Sequence, residues 1–279
     1  MIHIRPMTAA DLPLGMRLKQ QASWNQTEAD WQRVLSLEPD GCFVAEVDGR
    51  PVGTTATSVF DSIGWLAMVL VDEAFRGRGI GTQLMRHALA YLDGRGVRTA
   101  RLDATPLGRP LYEKLGFVAE YELARMEGIA AGGAASENVV PVAAEGLDAV
   151  CALDLQATGT SRRRLLERLY RERPAAMHSF VTDGTPLGYA TARAGTRATQ
   201  IGPIVARSVA AGEALADAAL QRYAGQPVFL DIPTQNTAAM HWAESRGLRV
   251  QRHLTRMYRG EPVSDRPDLL WAGLGPEKG

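Results

Sequence analysis

Cysteine is nearly missing from this chain: there are two in 279 residues, Cys42 and Cys151, far apart and flanked by apolar neighbours. Such a pair builds neither a disulfide framework nor a thiolate metal site, so buried, reduced thiols in a cytoplasmic protein are expected. An excess of either charge is missing too. Lys plus Arg and Asp plus Glu number 31 each, giving a formal net charge of zero. Nucleic acid and anionic membranes both reward a basic excess, so neither is expected as the main partner. No apolar run approaches the ~20 residues that span a bilayer, and the opening Met-Ile-His-Ile-Arg-Pro lacks the apolar stretch of a signal peptide. His178, His241 and His253 show no ligand spacing, and no metal is expected.

What remains is an ordinary globular balance, 46% hydrophobic and 22% charged, over a length that suits two domains. The two halves resemble each other. Asp48-Gly49-Arg50-Pro51-Val52-Gly53 matches Asp183-Gly184-Thr185-Pro186-Leu187-Gly188, each a hairpin turn after a strand containing Phe-Val. Further on, Gly116-Phe117 leads to Leu123, Arg125 and Met126 at the spacing with which Gly247-Leu248 leads to Leu254, Arg256 and Met257. Two matches in one order at nearly one offset indicate a tandem repeat. The boundaries expected are a catalytic domain at 1–128, a Gly/Ala-rich linker at 129–137 and a second domain at 138–279.

Within the first unit a strand at 2–4 precedes a helix capped by Asp11 and running to about Gln21. A second helix follows at 28–37, with Trp31, Val34 and Leu35 on one face. Strands are predicted at 42–48, 51–60 and 64–71. Leu84, Met85, Ala88, Leu89 and Leu92 then mark an amphipathic helix. A strand at 98–104, a helix near 107–115 and a strand at 117–126 close the unit. The fold class is α/β (α+β): mixed, mostly antiparallel sheets flanked by helices.

The informative stretch is Val69-Leu70-Val71-Asp72-Glu73-Ala74-Phe75-Arg76-Gly77-Arg78-Gly79-Ile80-Gly81-Thr82. A strand runs into a turn with three glycines and then directly into a helix. Glycines let successive N–H groups face one concavity, and the helix start adds orphan donors and a positive dipole end. Such a pocket prefers a pyrophosphate, with Arg76 and Arg78 adding charge. The spacing fits neither the dinucleotide fingerprint nor a P-loop.

This stretch resembles the GCN5-related N-acetyltransferase (GNAT) superfamily, whose Gln/Arg-x-x-Gly-x-Gly/Ala loop is met by Arg76, Gly79 and Gly81. The Leu111-Tyr112-Glu113-Lys114-Leu115-Gly116-Phe117 block also stands where that family has it. The resemblance is strong over 40–126 and weaker over 1–40. It implies acetyl-CoA as co-substrate, lying where the strand before the loop splays. Backbone groups around Val69, Leu70 and Val71 would hold the acetyl carbonyl and pantetheine arm, and the N–H groups of Gly77, Arg78, Gly79, Ile80, Gly81 and Thr82 the pyrophosphate. Tyr112 aligns with the tyrosine that protonates the departing thiolate. Many members carry Asn seven residues before it, where this chain has Thr105 between rebuilt, proline-containing turns.

Asp103 and Asp61 are the candidate bases, though each reads more readily as a turn or cap carboxylate, and Glu46 is a weaker one. Trp24, Asn25 and Gln26 lie between the first two helices, where the superfamily places its variable acceptor loop, and are expected to face the substrate, with Thr27 as helix cap. The second half lacks Gly-x-Gly at the loop position. It has Asn236 opposite Thr105 and Ala243 opposite Tyr112, resembling tandem proteins with a degenerate second domain. Arg162-Arg163-Arg164 reads as a solvated helix face. The activity implied is acetyl transfer to a small-molecule amine. The alternatives are an acyl-CoA sensor without turnover, and a protein or peptide N-acetyltransferase.

Overall fold

The computed structural model describes residues 1–133 and 135–277; Ala134 of the expected linker and the last two residues of the expected second domain lie outside them. The first half runs β1 (Ile2–Pro6), α1 (Leu12–Gln21), α2 (Glu28–Leu37), β2 (Cys42–Val47), β3 (Arg50–Phe60), β4 (Ile63–Val71), α3 (Ile80–Gly94), β5 (Thr99–Ala104), α4 (Arg109–Lys114) and β6 (Val118–Ile129). The second half repeats that order: β7 (Val139–Pro141), α5 (Leu147–Thr158), α6 (Arg163–Glu172), β8 (His178–Thr182), β9 (Thr185–Arg193), β10 (Thr199–Ala206), α7 (Val209–Arg222), β11 (Pro227–Pro233), α8 (Thr237–Ser245) and β12 (Arg249–Gly260). A short β13 (Leu270–Ala272) follows, with no counterpart in the first half.

Local chemistry accounts for the elements. Thr27 and Asp30 cap α2 reciprocally, the Thr27 N–H donating to Asp30 Oδ2 at 2.8 Å. Trp31, Val34 and Leu37 then bury the inner face of that helix. The two repeated hairpins turn through Asp48-Gly49 and Asp183-Gly184, all four residues at positive φ, as the twist of paired strands favours. Ile80, Leu84, Met85, Ala88, Leu89 and Leu92 seat α3 on the sheet.

The halves are joined by exchange of their last strands. One sheet orders the strands β1-β2-β3-β4-β5-β12-β6-β11-β10-β9-β8-β7, so β5 pairs with β12 of the second half and β11 with β6 of the first. The exchange is secured symmetrically. Arg256 on β12 holds Asp103 on β5 at 2.8 and 3.0 Å, and Arg125 on β6 holds Asp231 on β11 at 2.7 Å through each oxygen. The side chains of both pairs are buried, where losing one partner typically costs about 3–5 kcal/mol. The repeated arginines read in the sequence are therefore the cross-half clasps, and residues 1–128 are a unit of chain order whose last strand belongs spatially to the other half.

Two expectations need correction. The Gly/Ala-rich linker, exposed at Ala131, Gly132, Ala135 and Glu137, is nonetheless anchored at two points: the Ala130 N–H donates to Gln226 O at 2.9 Å, and a Cβ on Gly133 would meet Asp217 O at 2.2 Å. The arginine triplet is a solvated face only in part: Arg163 and Arg164 are exposed, Arg164 donating to Leu37 O across the halves at 2.5 Å, whereas Arg162 is buried on Asp154 at 2.6 and 2.9 Å. Cys42 and Cys151 are buried free thiols, as expected, and burial pushes the Cys42 thiol up to about 12.

Candidate active site

In the first half the sheet opens where β4 and β5 part. Their parallel pairing is limited to Ile63 with Thr99, Gly64 with Ala100 and Trp65 with Arg101. Just beyond, the register between β3 and β4 slips and Met68 takes φ +53°, a bulge that turns β4 away from β5. Thr54 Oγ1 holds the turned backbone by donating to Met68 O at 2.9 Å. The gap is a cleft. Leu66 to Val69 form one wall, with Leu102, Asp103, Thr105 and Tyr112 opposite.

The glycine loop leads from the end of β4 to α3. Asp72 accepts from the Ala74 N–H at 3.1 Å and pairs with Arg17, fixing the first turn. Gly77 and Gly79 sit at φ +75° and +78°, conformations that L side chains rarely adopt. Gly79 is the N-cap of α3 and offers no side-chain acceptor, and the first intrahelical bond is from Gln83 N–H to Gly79 O at 3.1 Å. The N–H groups of Ile80, Gly81 and Thr82 thus have no intrahelical acceptor, an anion cradle at the positive end of the longest helix. Arg76 and Arg78 fold back locally, donating to Val71 O and Ala74 O at 3.1 Å each, while Arg78 also lies over the Phe75 ring.

Tyr112 stands in α4, its ring edge-on to Phe117 at 6.1 Å, and lines the cleft. Burial pushes its phenol up to about 12, so at neutral pH it is a proton donor. Thr105 caps the turn before α4, accepting from the Gly108 N–H at 3.2 Å, and lines the same cleft.

The predicted base and acceptor residues divide. Asp103 lies in the cleft wall, with both its oxygens held by Arg256. Asp61 is not brought there: it sits in the β3–β4 turn at φ +51°, accepting from the Ser161 N–H at 2.7 Å, and so pins the second half. Glu46 is paired with Arg5 at 2.7 Å on β2, and that guanidinium lowers its pKa. Trp24 and Gln26 line the cleft. Asn25 does not; it is buried in the seam, donating to Ala198 O at 2.9 Å and accepting from the Arg197 and Ala198 N–H groups.

Three further cleft residues come from the second half: Arg252 on β12 and Pro276 and Glu277 beyond β13. No spacing in the sequence marks them, because strand exchange and the path of the C-terminal segment bring them in. Trp65 Nε1 donates to Pro276 O at 3.2 Å, and Gln26 Nε2 to Glu277 Oε2 at 2.9 Å; Arg193 also holds Glu277. Arg252 has its Nε buried without a partner, and burial with the neighbouring Arg125 brings the guanidinium down to about 10.

The second half closes its equivalent cleft with its own chain. β10 and β11 also part after a short parallel pairing, but β13 lies in the gap, pairing Ile204 with Ala272 and bridging Asp231 to Gly273. Trp271 presses so closely on α7 that a Cβ on Gly212 would come within 1.9 Å of its ring. Asn236 fastens the strand, its Nδ2 donating to Asp268 O and Leu270 O at 3.1 Å each. The start of α7 is capped internally, Ser208 Oγ accepting from the Ala211 N–H at 3.2 Å. Where the first half leaves its helix start without a side-chain cap, the second caps one of its donors with Ser208.

Fold and site together define a tandem α/β protein with one cleft opened by a bulged strand and headed by an uncapped helix. Comparison with known proteins agrees. The Acetyltransferase (GNAT) family matches residues 9–117, and the Acetyltransferase (GNAT) domain matches 150–272. The chain belongs to the GNAT family, with two GNAT domains, and its family activity is acyl transfer. It is 28% identical over 250 residues, 87% of this chain and 83% of the relative, to a holothin acyltransferase of Pseudoalteromonas. An uncharacterised N-acetyltransferase of Archaeoglobus fulgidus is 38% identical over 37% of this chain and 71% of the relative. Among solved structures, a Pyrococcus horikoshii protein described provisionally as an acetyltransferase superposes with TM-score 0.87 at 27% identity, over 100% of this chain and 96% of that one. A tandem GNAT protein from the clavulanic acid biosynthesis pathway shares the fold at TM-score 0.66 and 15% identity, over 95% of this chain and 100% of that one. Among the described residues there is no cluster of His, Cys, Asp and Glu that would hold a metal, and no helix long and apolar enough to cross a membrane.

Proposed function

We propose that this chain uses acetyl-CoA to acetylate a small-molecule amine by direct transfer, in the first-half cleft alone. The observation that carries this reading is that the Met68 bulge and the Tyr112 phenol line one cleft, while the uncapped start of α3 lies beside it, a Cβ on Gly81 falling 3.6 Å from Leu111 and 3.8 Å from Val71. The residues fit coenzyme A on physical grounds. Gly77 to Thr82 offer N–H groups to a diphosphate, with Arg76 and Arg78 beside them, and the parted edge of β4 at Val69, Leu70 and Val71 offers backbone groups to the pantetheine arm and acetyl carbonyl. Thr105 and Tyr112 close the opposite side.

The thioester arrives activated, so the protein's task is to place an amine against it. Orientation of that kind supplies roughly 7–11 kcal/mol. As the N–C bond forms the C–S bond breaks, the thiolate takes the Tyr112 Oη proton, and the proton shed by nitrogen leaves to water while solvent restores the phenol. No dedicated base is required for a weakly basic acceptor. At pH 7 an α-amine near pKa 8 costs about 1 kcal/mol to deprotonate, against about 4–5 for a lysine-like amine. Trp24 and Gln26 on one side and Arg252, Pro276 and Glu277 on the other confine the acceptor end, which favours a small molecule over a polypeptide. A thiol-release assay with acetyl-CoA and an amine panel tests the proposal: turnover is expected, whereas CoA binding with no turnover on any amine would favour a sensor.

A further inference from the structure

The acceptor end of the cleft holds two polar groups that the protein leaves unanswered. Neighbouring buried arginines each grip a carboxylate: Arg125 holds Asp231, Arg193 holds Glu277, and Arg256 holds Asp103. Arg252 grips nothing. It is half-buried in the cleft wall, its Nε is shut away from solvent without an acceptor, and none of its nitrogens makes a hydrogen bond or ion pair among the described residues. Facing the same cleft, Gln26 donates through Nε2 to Glu277, which fixes the orientation of its amide, and leaves Oε1 buried with no donor. Buried polar groups are normally satisfied, and a partly desolvated cation normally has a counter-ion. One orphan cationic donor and one orphan acceptor in a single cleft describe the complement of a ligand carrying an anion and an N–H.

Resting on the acetyltransferase reading above, we propose that the acceptor is an amino acid or another small amino-carboxylate, whose carboxylate binds Arg252 and whose amine is held by Gln26 Oε1. Guanidinium and carboxylate match in shape and charge, which a neutral amine cannot exploit. An N–H donated to Gln26 Oε1 leaves the nitrogen lone pair free to turn toward the thioester. The two contacts together would fix the acceptor at both ends. Discrimination then comes from pairing: an analogue lacking the carboxylate leaves the cation unpaired in the closed complex.

The test is a thiol-release assay on the full chain with matched pairs of amines: α-, β- and γ-amino acids against their carboxamides. Product binding (N-acetyl amino acids added to the CoA-loaded protein) and CoA affinity are measured alongside by calorimetry. The expected result is a preference of roughly 10- to 100-fold in kcat/KM for the carboxylate member, as a charged hydrogen bond typically gives. Arg252→Gln should erase that preference through KM with CoA affinity unchanged, and Arg252→Lys should restore part of it. Equal use of acids and amides, or an Arg252→Gln protein with the preference intact, overturns the proposal while the transferase reading stands. So does a CoA-loaded protein that neither acetylates amino acids nor binds their N-acetyl products. Failure to bind CoA at all would instead strike at the transferase reading, and thermal melting of both variants separates recognition from misfolding.

Discussion

Tyr112 and Asp103 both line the cleft yet do different work. Burial raises the Tyr112 phenol to about 12, so it is protonated across the working range, and its loss of the proton would depress the rate only far above neutrality. Turnover should therefore rise with pH as the acceptor amine deprotonates, then hold level through pH 9; a fall between pH 7 and 9 would assign the acid elsewhere. Tyr112→Phe should lower kcat about 100-fold, at the modest end for general acids, with CoA affinity unchanged. Asp103 is a clasp for Arg256. Asp103→Asn should lower stability by about 3–5 kcal/mol because it leaves a buried guanidinium uncompensated, visible as a large drop in Tm. Unchanged Tm with lost activity would restore Asp103 as a base. Tyr112 was legible in the sequence because it stands in a short block of fixed spacing. The meaning of Asp103 was not, since its partner lies in β12 and only exchange of strands joins them. Asn25 shows the same limit: its polar amide suits a substrate or a seam equally, and the backbone of 197–198 decides.

Helix starts distinguish the two halves. At the first, Gly79 at φ +78° leaves the donors of α3 open; at the second, Ser208 caps α7 and Trp271 lies on Gly212. Gly79→Glu should abolish CoA binding, because it adds a carboxylate and a strained φ at the cradle; retained affinity would place the diphosphate elsewhere. The loop, the hairpins and nearly every element of the first half could be read from the sequence, since glycine punctuation and apolar spacing act locally. β13 could not. Three residues give no period, and its strand conformation is imposed by the gap between β10 and β11. Asn236→Ala removes both the cap of α8 and the clasp on β13, and should cost at least the ~1 kcal/mol of a lost N-cap, measured by denaturant unfolding. It should not create a second CoA site, as α7 keeps its own cap.

Across the whole molecule, repetition has produced division of labour. Each half completes the sheet of the other, and the second half further supplies a wall of the cleft through Arg252, Pro276 and Glu277. A fragment of residues 1–128 would expose the edge of β5 and leave β6 without both of its partners β11 and β12, so it is expected to aggregate or stay unfolded, as circular dichroism would show. The duplication was plain in the sequence, because turns and spacings recur; the exchange was not, because pairing partners are chosen by tertiary contact. The most direct measurement is isothermal titration of CoA into the intact protein. The account predicts one equivalent bound per chain, lost entirely in Gly79→Glu; no binding, or two equivalents, would contradict it.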